Sequence, residues 1–193
     1  MLIAGSRFLH SPVMGLQTGG ELARTRREII DPATLTIIAF ELEGPLLAEH
    51  PSFLRIADVR EFSDIGIIVD SSDEFVGVDD IVRFKAIYDL HFEMIGKHVL
   101  DEKKHKLGKV TSYTIDTVGF MIQQFSVKRP LLKSFTDTEL LIHRSQIVEV
   151  NDTSIVVRAD TADISEPATT ALPTYHNPFR PSSPQTNGSD ITK

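Results

Sequence analysis

Ile30–Leu47 reads IDPATLTIIAFELEGPLL, and Ile115–Leu132 reads IDTVGFMIQQFSVKRPLL. Both open on Ile-Asp, carry Phe at the same offset and close on Pro-Leu-Leu. At a spacing of 85 positions, Leu22 also meets Leu107 and Phe40 meets Phe125. Further along the spacing becomes 88, as a loop three residues longer requires. Val59 then meets Ile147, Asp64 meets Asp152, and Ile67-Ile68-Val69 meets Ile155-Val156-Val157. One register with one small insertion, held over roughly 60 residues, reads as a duplication with a period too long for a solenoid. A chain of 193 residues has room for two such units in tandem.

Each unit reads as β. In the second, short runs rich in Val, Ile, Thr, Tyr and Phe stand at 97–100, 109–115, 120–128, 140–143, 147–150 and 154–159, with turn residues between them. The first repeats the pattern at 7–14, 28–31, 35–42, 53–56, 59–62 and 65–70. Short strands without intervening helices predict a small closed barrel or sandwich, and closure limits exposed strand edges. In the central strand, Ile38, Phe40 and Leu42 point one way and Leu35 and Ile37 the other. Both faces are therefore partly apolar.

The predicted layout is a first barrel over 1–77, a connecting helix over 78–92, a second barrel over 93–160 and a disordered tail over 161–193. The helix rests on apolar spacings in VDDIVRFKAIYDLHF and on Asp79 and Asp80 at its start. About three turns would let it pack on both barrels. A surface-binding amphipathic helix is the alternative, and two acidic starters argue against membrane docking. The tail holds five of the ten prolines and many Ser and Thr. Its island TYHNPFRP is either a short docking motif or uncommitted tail.

The absence of cysteine excludes disulfides, thiolate metal sites and cysteine nucleophiles. No apolar run approaches a membrane span, and no cationic start precedes an apolar block, so the expectation is a cytoplasmic protein. A net charge of −7 argues against a general nucleic-acid binder. The charge is uneven: residues 1–80 hold 6 Lys/Arg against 14 Asp/Glu, and residues 81–193 hold 14 against 13.

Gly96–Asp116, GKHVLDEKKHKLGKVTSYTID, resembles the opening of a PRC-barrel domain. Leu107-Gly108-Lys109-Val110 and Ile115-Asp116 stand where that family carries its glycine-lysine pattern and its hydrophobic-Asp pair. Leu140–Val157 is similar to the family's closing strands. The first copy departs from the pattern, with Gly20-Glu21-Leu22 in place of leucine-glycine-lysine. The family includes the cytoplasmic domain of the photosynthetic reaction centre H subunit and the C-terminal domain of a ribosome-maturation factor. The resemblance implies a compact β-barrel used for protein contacts. It implies no catalytic residues and no cofactor, and neither named function carries over.

His91, His98 and His105 recur every seven residues, but Gly96 and the β pattern interrupt any helix that could align them as a metal set. Asp31 and Asp116 occupy equivalent places, where an Asp bonds backbone N–H groups just downstream in a turn. No nucleotide-binding or nucleophile-elbow pattern occurs. The functional candidate is a basic cluster, Lys103, Lys104, Lys106 and Lys109, joined by Lys128, Arg129 and Lys133. It suits RNA phosphates, an anionic lipid surface, an acidic protein or the acidic first copy of another molecule. The bland alternative is a solvated lysine-rich turn. Tyr113 is the one aromatic residue near it that could stack on a base. The expected function is a non-enzymatic adaptor that binds another protein and could form homo-oligomers. A ribosome- or RNA-associated factor is the alternative.

Overall fold

A computed structural model of the chain describes residues 1–78, 82–129 and 139–158. The expected disordered tail over 161–193 and the lysine at 133 lie outside the described residues. Among the described residues the fold is mainly β with one short α-helix, as the strand-rich sequence predicts. The first half contains β1 (Leu2–Ala4), β2 (Pro12–Gly15), β3 (Glu21–Asp31), β4 (Thr36–Glu43), β5 (Ser52–Arg55), β6 (Glu61–Ser63), β7 (Gly66–Val69) and β8 (Phe75–Gly77). Helix α1 (Val82–Tyr88) follows. The second half contains β9 (His98–Asp101), β10 (Lys106–Asp116), β11 (Met121–Lys128), β12 (Glu139–His143), β13 (Ile147–Val150) and β14 (Ser154–Val157).

The duplication is visible in the hydrogen-bond register. Phe40 pairs with Leu54 across β4 and β5, and Phe125 pairs with Ile142 across β11 and β12. β2 runs parallel to β7, and β9 runs parallel to β14. The bulges also correspond. The β3–β4 ladder slips between Thr25 and Arg27 and between Ile29 and Ile30; the β10–β11 ladder slips between Val110 and Ser112 and between Thr114 and Ile115. Asp31 closes its turn as expected, accepting from the Ala33 N–H at 2.9 Å.

Three features differ from the expectation. The strands form one open mixed sheet, running β13-β14-β9-β10-β11-β4-β3-β2-β7-β6, rather than two closed barrels. Among the described residues β6 and β13 stand at its two ends, each paired on one side only. Second, β1 leaves the first half and pairs with β10, with Ile3 opposite Ile115. Third, α1 spans seven residues and covers one unit only. Its Phe84 packs on Phe53 with ring centroids 4.8 Å apart, beside Ile29 and Ala39. The second half has Thr114 and Gln124 at the positions of Ile29 and Ala39, so its outer face keeps only Leu141, the counterpart of Phe53, of the three apolar residues that the helix covers.

The halves meet around a local two-fold axis. Thr36 of β4 pairs with its own counterpart, Met121 of β11. The Ile37 N–H donates to the Phe120 carbonyl at 2.8 Å, and the Ile122 N–H donates to the Leu35 carbonyl at 2.9 Å. Leu35 and Phe120, equivalent in the repeat, share a left-handed backbone at φ 50° and 49°. Phe8, Phe40 and Phe120 join one core across the junction, with centroids 5.2 to 6.4 Å apart. Buried Tyr113 donates its hydroxyl to Glu28, again a repeat-equivalent pair. This is the geometry of an isologous dimer interface made within one chain.

Candidate functional site

The chemistry-bearing surface of the second half lies where β9, β10 and the end of β11 come together. Lys109 pairs with His98 on one side and with Lys128 on the other, so strand register alone brings three basic positions side by side. The bulge that skips Leu107 between Lys106 and Gly108 keeps Lys106 on the same surface. A groove of about 610 Å³ results. Ile95, Gly96, Gly108 and Val110 contribute apolar lining, and Lys106, Lys109, Lys128 and Arg129 contribute charge, with His98 and Thr111 beside them.

Gly108 is required by the crossing of β10 and β11. A Cβ placed there would stand 2.2 Å from the Lys128 carbonyl oxygen. The strands therefore approach closely under the groove, and no side chain fills its floor at that point.

The equivalent surface of the first half is built differently. Lys106, Lys109, Lys128 and Arg129 correspond to Glu21, Arg24, Glu43 and Gly44. There Arg24 donates to Glu21 at 2.7 Å, and Glu43 meets His10 at 2.7 Å. The first copy therefore has glutamates, Glu21 and Glu43, where the second has Lys106 and Lys128. In the second copy, no described acidic side chain is ion-paired to Lys106, Lys109 or Lys128. One acid stands at the lip: Glu139 lies opposite Lys128 on β12 and accepts from the Thr111 hydroxyl at 3.1 Å.

Of the cations singled out in the sequence, Lys106, Lys109, Lys128 and Arg129 therefore share one groove. Lys103 and Lys104 sit on the exposed β9–β10 turn and do not line it. Lys104 has a left-handed backbone (φ 65°), and its N–H donates to the Asp101 carbonyl at 2.9 Å. That turn is further held by Asp101, which accepts from the His105 N–H at 2.7 Å and meets its ring at 2.8 Å. Burial works against the Asp101 charge, but the His105 N–H and ring hold its carboxyl below the usual range.

The sequence reading missed His98 and the apolar lining of the groove. A basic run signals cations, whereas the floor depends on which strand lies next to β10. The three evenly spaced histidines do not converge: His91 stands against Tyr88, His98 lines the groove and His105 belongs to the turn. Among the described residues no group of three His, Asp or Glu is placed to hold a metal, and no helix is long and apolar enough to cross a membrane. No known family model matches the chain, and no curated protein matches it.

Proposed function

We propose that the protein is a non-enzymatic adaptor whose second half binds an acidic, partly apolar segment of another protein. The observation that carries this reading is the groove itself. Lys106, Lys109, Lys128 and Arg129 surround an apolar floor, where the first half has Glu21 paired with Arg24, Glu43 bonded to His10, and Gly44. Such a groove suits a strand or turn in which carboxylates alternate with aliphatic side chains. The carboxylates would gain charge-assisted hydrogen bonds from Lys and Arg, and the apolar residues would cover Ile95 and Val110. The finer fold reading, two PRC-type units serving protein contacts, belongs to the same proposal. The matching register of the two halves supports it, and the open sheet departs from the closed form expected. Cytoplasmic residence is part of the proposal and rests on the cysteine-free composition.

RNA binding is the second reading, since the same cations attract phosphates. One observation weighs against its single-stranded form. Tyr113, the aromatic residue expected to stack, is buried and bonded to Glu28, so its ring offers no face to a base.

The test is a binding titration of the full chain against a peptide of alternating Glu and Leu and against a poly-uridine strand, at about 50 and about 200 mM salt. The adaptor reading expects the peptide to bind and to be retained in part at the higher salt. The combined variant Lys106→Glu, Lys109→Glu, Lys128→Glu should lose it. Binding of poly-uridine with no binding of the peptide overturns the reading in favour of RNA. Binding of neither, or unchanged peptide binding by the variant, removes the groove as a site.

A further inference from the structure

β5 and β12 are the same strand of the two copies, and they meet different fates. On its inner side each pairs with the long central strand in the same register. On its outer side β5 is completed by β8, with Phe53 opposite Val76 and Leu54 opposite Phe75. Phe53 is fully buried as a result, between β8 and α1. Among the described residues, β12 has no strand on its outer side. Its Leu141, the counterpart of Phe53, is 58% exposed, between exposed Glu139 and exposed His143. An open strand edge carrying an exposed leucine is a surface that proteins ordinarily cover.

The repeat names a candidate for the cover. β7 ends at Val69 and β8 begins at Phe75; β14, the counterpart of β7, ends at Val157. The same 88-residue spacing that relates β7 to β14 and β5 to β12 carries Phe75-Val76-Gly77 onto Asp163-Ile164-Ser165. Those residues lie beyond the described part of the chain, at the chain distance from β14 that β8 keeps from β7. The pairing of β5 with β8 carries over as Ile142 opposite Asp163, Leu141 opposite Ile164 and Leu140 opposite Ser165. Ile164 would then lie beside Leu141 as Val76 lies beside Phe53, an aliphatic cross-strand pair.

We propose that the open outer edge of β12 is a strand-addition site for the chain's own segment Asp163-Ile164-Ser165. The site covers Leu141 and fixes where the remaining tail leaves the molecule, next to β12. Tethering makes the pairing intramolecular, so a short strand can hold without a large interface.

The cysteine-free chain allows a direct test. In the full-length protein, Leu141→Cys is combined in turn with Ile164→Cys, Thr161→Cys and Ala168→Cys, and each pair is oxidised with glutathione disulfide. Opposed residues of paired strands fall within the Cα separation of about 4.4–6.8 Å that a disulfide needs. The expected result is an intramolecular disulfide at 141–164 that closes about tenfold faster than the other two. Equal closure at all three positions, as from a tail that is tethered but unpaired, overturns the proposal. A disulfide between two chains overturns it in favour of a second copy on this edge. The second measurement is amide exchange across 139–143 in the native chain and in Ile164→Pro, since proline cannot complete the ladder. Protection that falls about tenfold in the variant supports the proposal; protection that does not change contradicts it.

Discussion

Tyr113 and Glu28 occupy the same place in the two copies and end up bonded to each other. Burial, reinforced by the Glu28 carboxylate, pushes the Tyr113 hydroxyl far above its ordinary value. It therefore stays protonated and remains a donor. Tyr113→Phe should cost about 1–2 kcal/mol at neutral pH, because a part-buried carboxylate loses its donor. The raised value also sets a pH dependence. In the unfolded chain the phenol ionises near pH 10, whereas in the folded chain it cannot, so above that pH the unfolded state binds fewer protons and stability falls as pH rises. Below about pH 10 the contribution is whole. Urea unfolding at rising alkaline pH should show a steeper loss for the native chain than for Tyr113→Phe. The repeat places Tyr113 opposite Glu28 only through the two-fold arrangement. A spacing of 85 residues identifies equivalent positions, and no local pattern says that equivalents touch. The basic positions were more legible, because Lys109 and Lys128 flank the two strands that a short turn forces to pair.

At the scale of elements, the two longest strands were read too short and two of the three shortest were not read at all. β3 begins at Glu21, seven residues before the predicted start, because Arg24, Arg26 and Arg27 disguise a strand whose other face is buried. β1 and β8 have three residues each and exist through partners far away in sequence. The faces of β4 were also misread. Ile38 is the extra residue of a bulge, since Ala39 pairs with Ile29 and Ile37 with Ile30. The bulge breaks the period of two, so Ile37 and Phe40 both enter the main core while Ala39 faces α1. The helix was legible as an element, and its single docking face was not. That face exists because Ile29, Ala39 and Phe53 are apolar, whereas Thr114 and Gln124 stand at the first two positions in the other copy. Phe84→Ala should destabilise the protein by about 3 kcal/mol, as removal of a buried aromatic side chain does. Denaturant unfolding measures the loss, and binding at the groove on the opposite half should be unchanged.

At the scale of the molecule, the two copies have diverged around a shared core. Phe8, Phe40 and Phe120 pack together, β1 crosses onto β10, and the Thr36–Met121 pairing joins the long ladders. The chain should therefore unfold in one cooperative step. Amide exchange of β7, reporting on the first half, and of β14, reporting on the second, should give the same denaturation midpoint. Separate midpoints would mean that the junction contributes little. The outer surfaces tell the halves apart: one is covered by a helix and sets Glu21 and Glu43 beside Arg24, the other sets Lys106, Lys109, Lys128 and Arg129 around an apolar floor. The most direct test of that division is a footprint of the bound Glu–Leu peptide by amide exchange or by NMR shifts. The account predicts changes at Gly96–Thr111 and Lys128–Arg129, with Pro12–Thr25 and Glu43–Gly44 unmoved. A footprint on the first half, or one spread evenly over both, would contradict it.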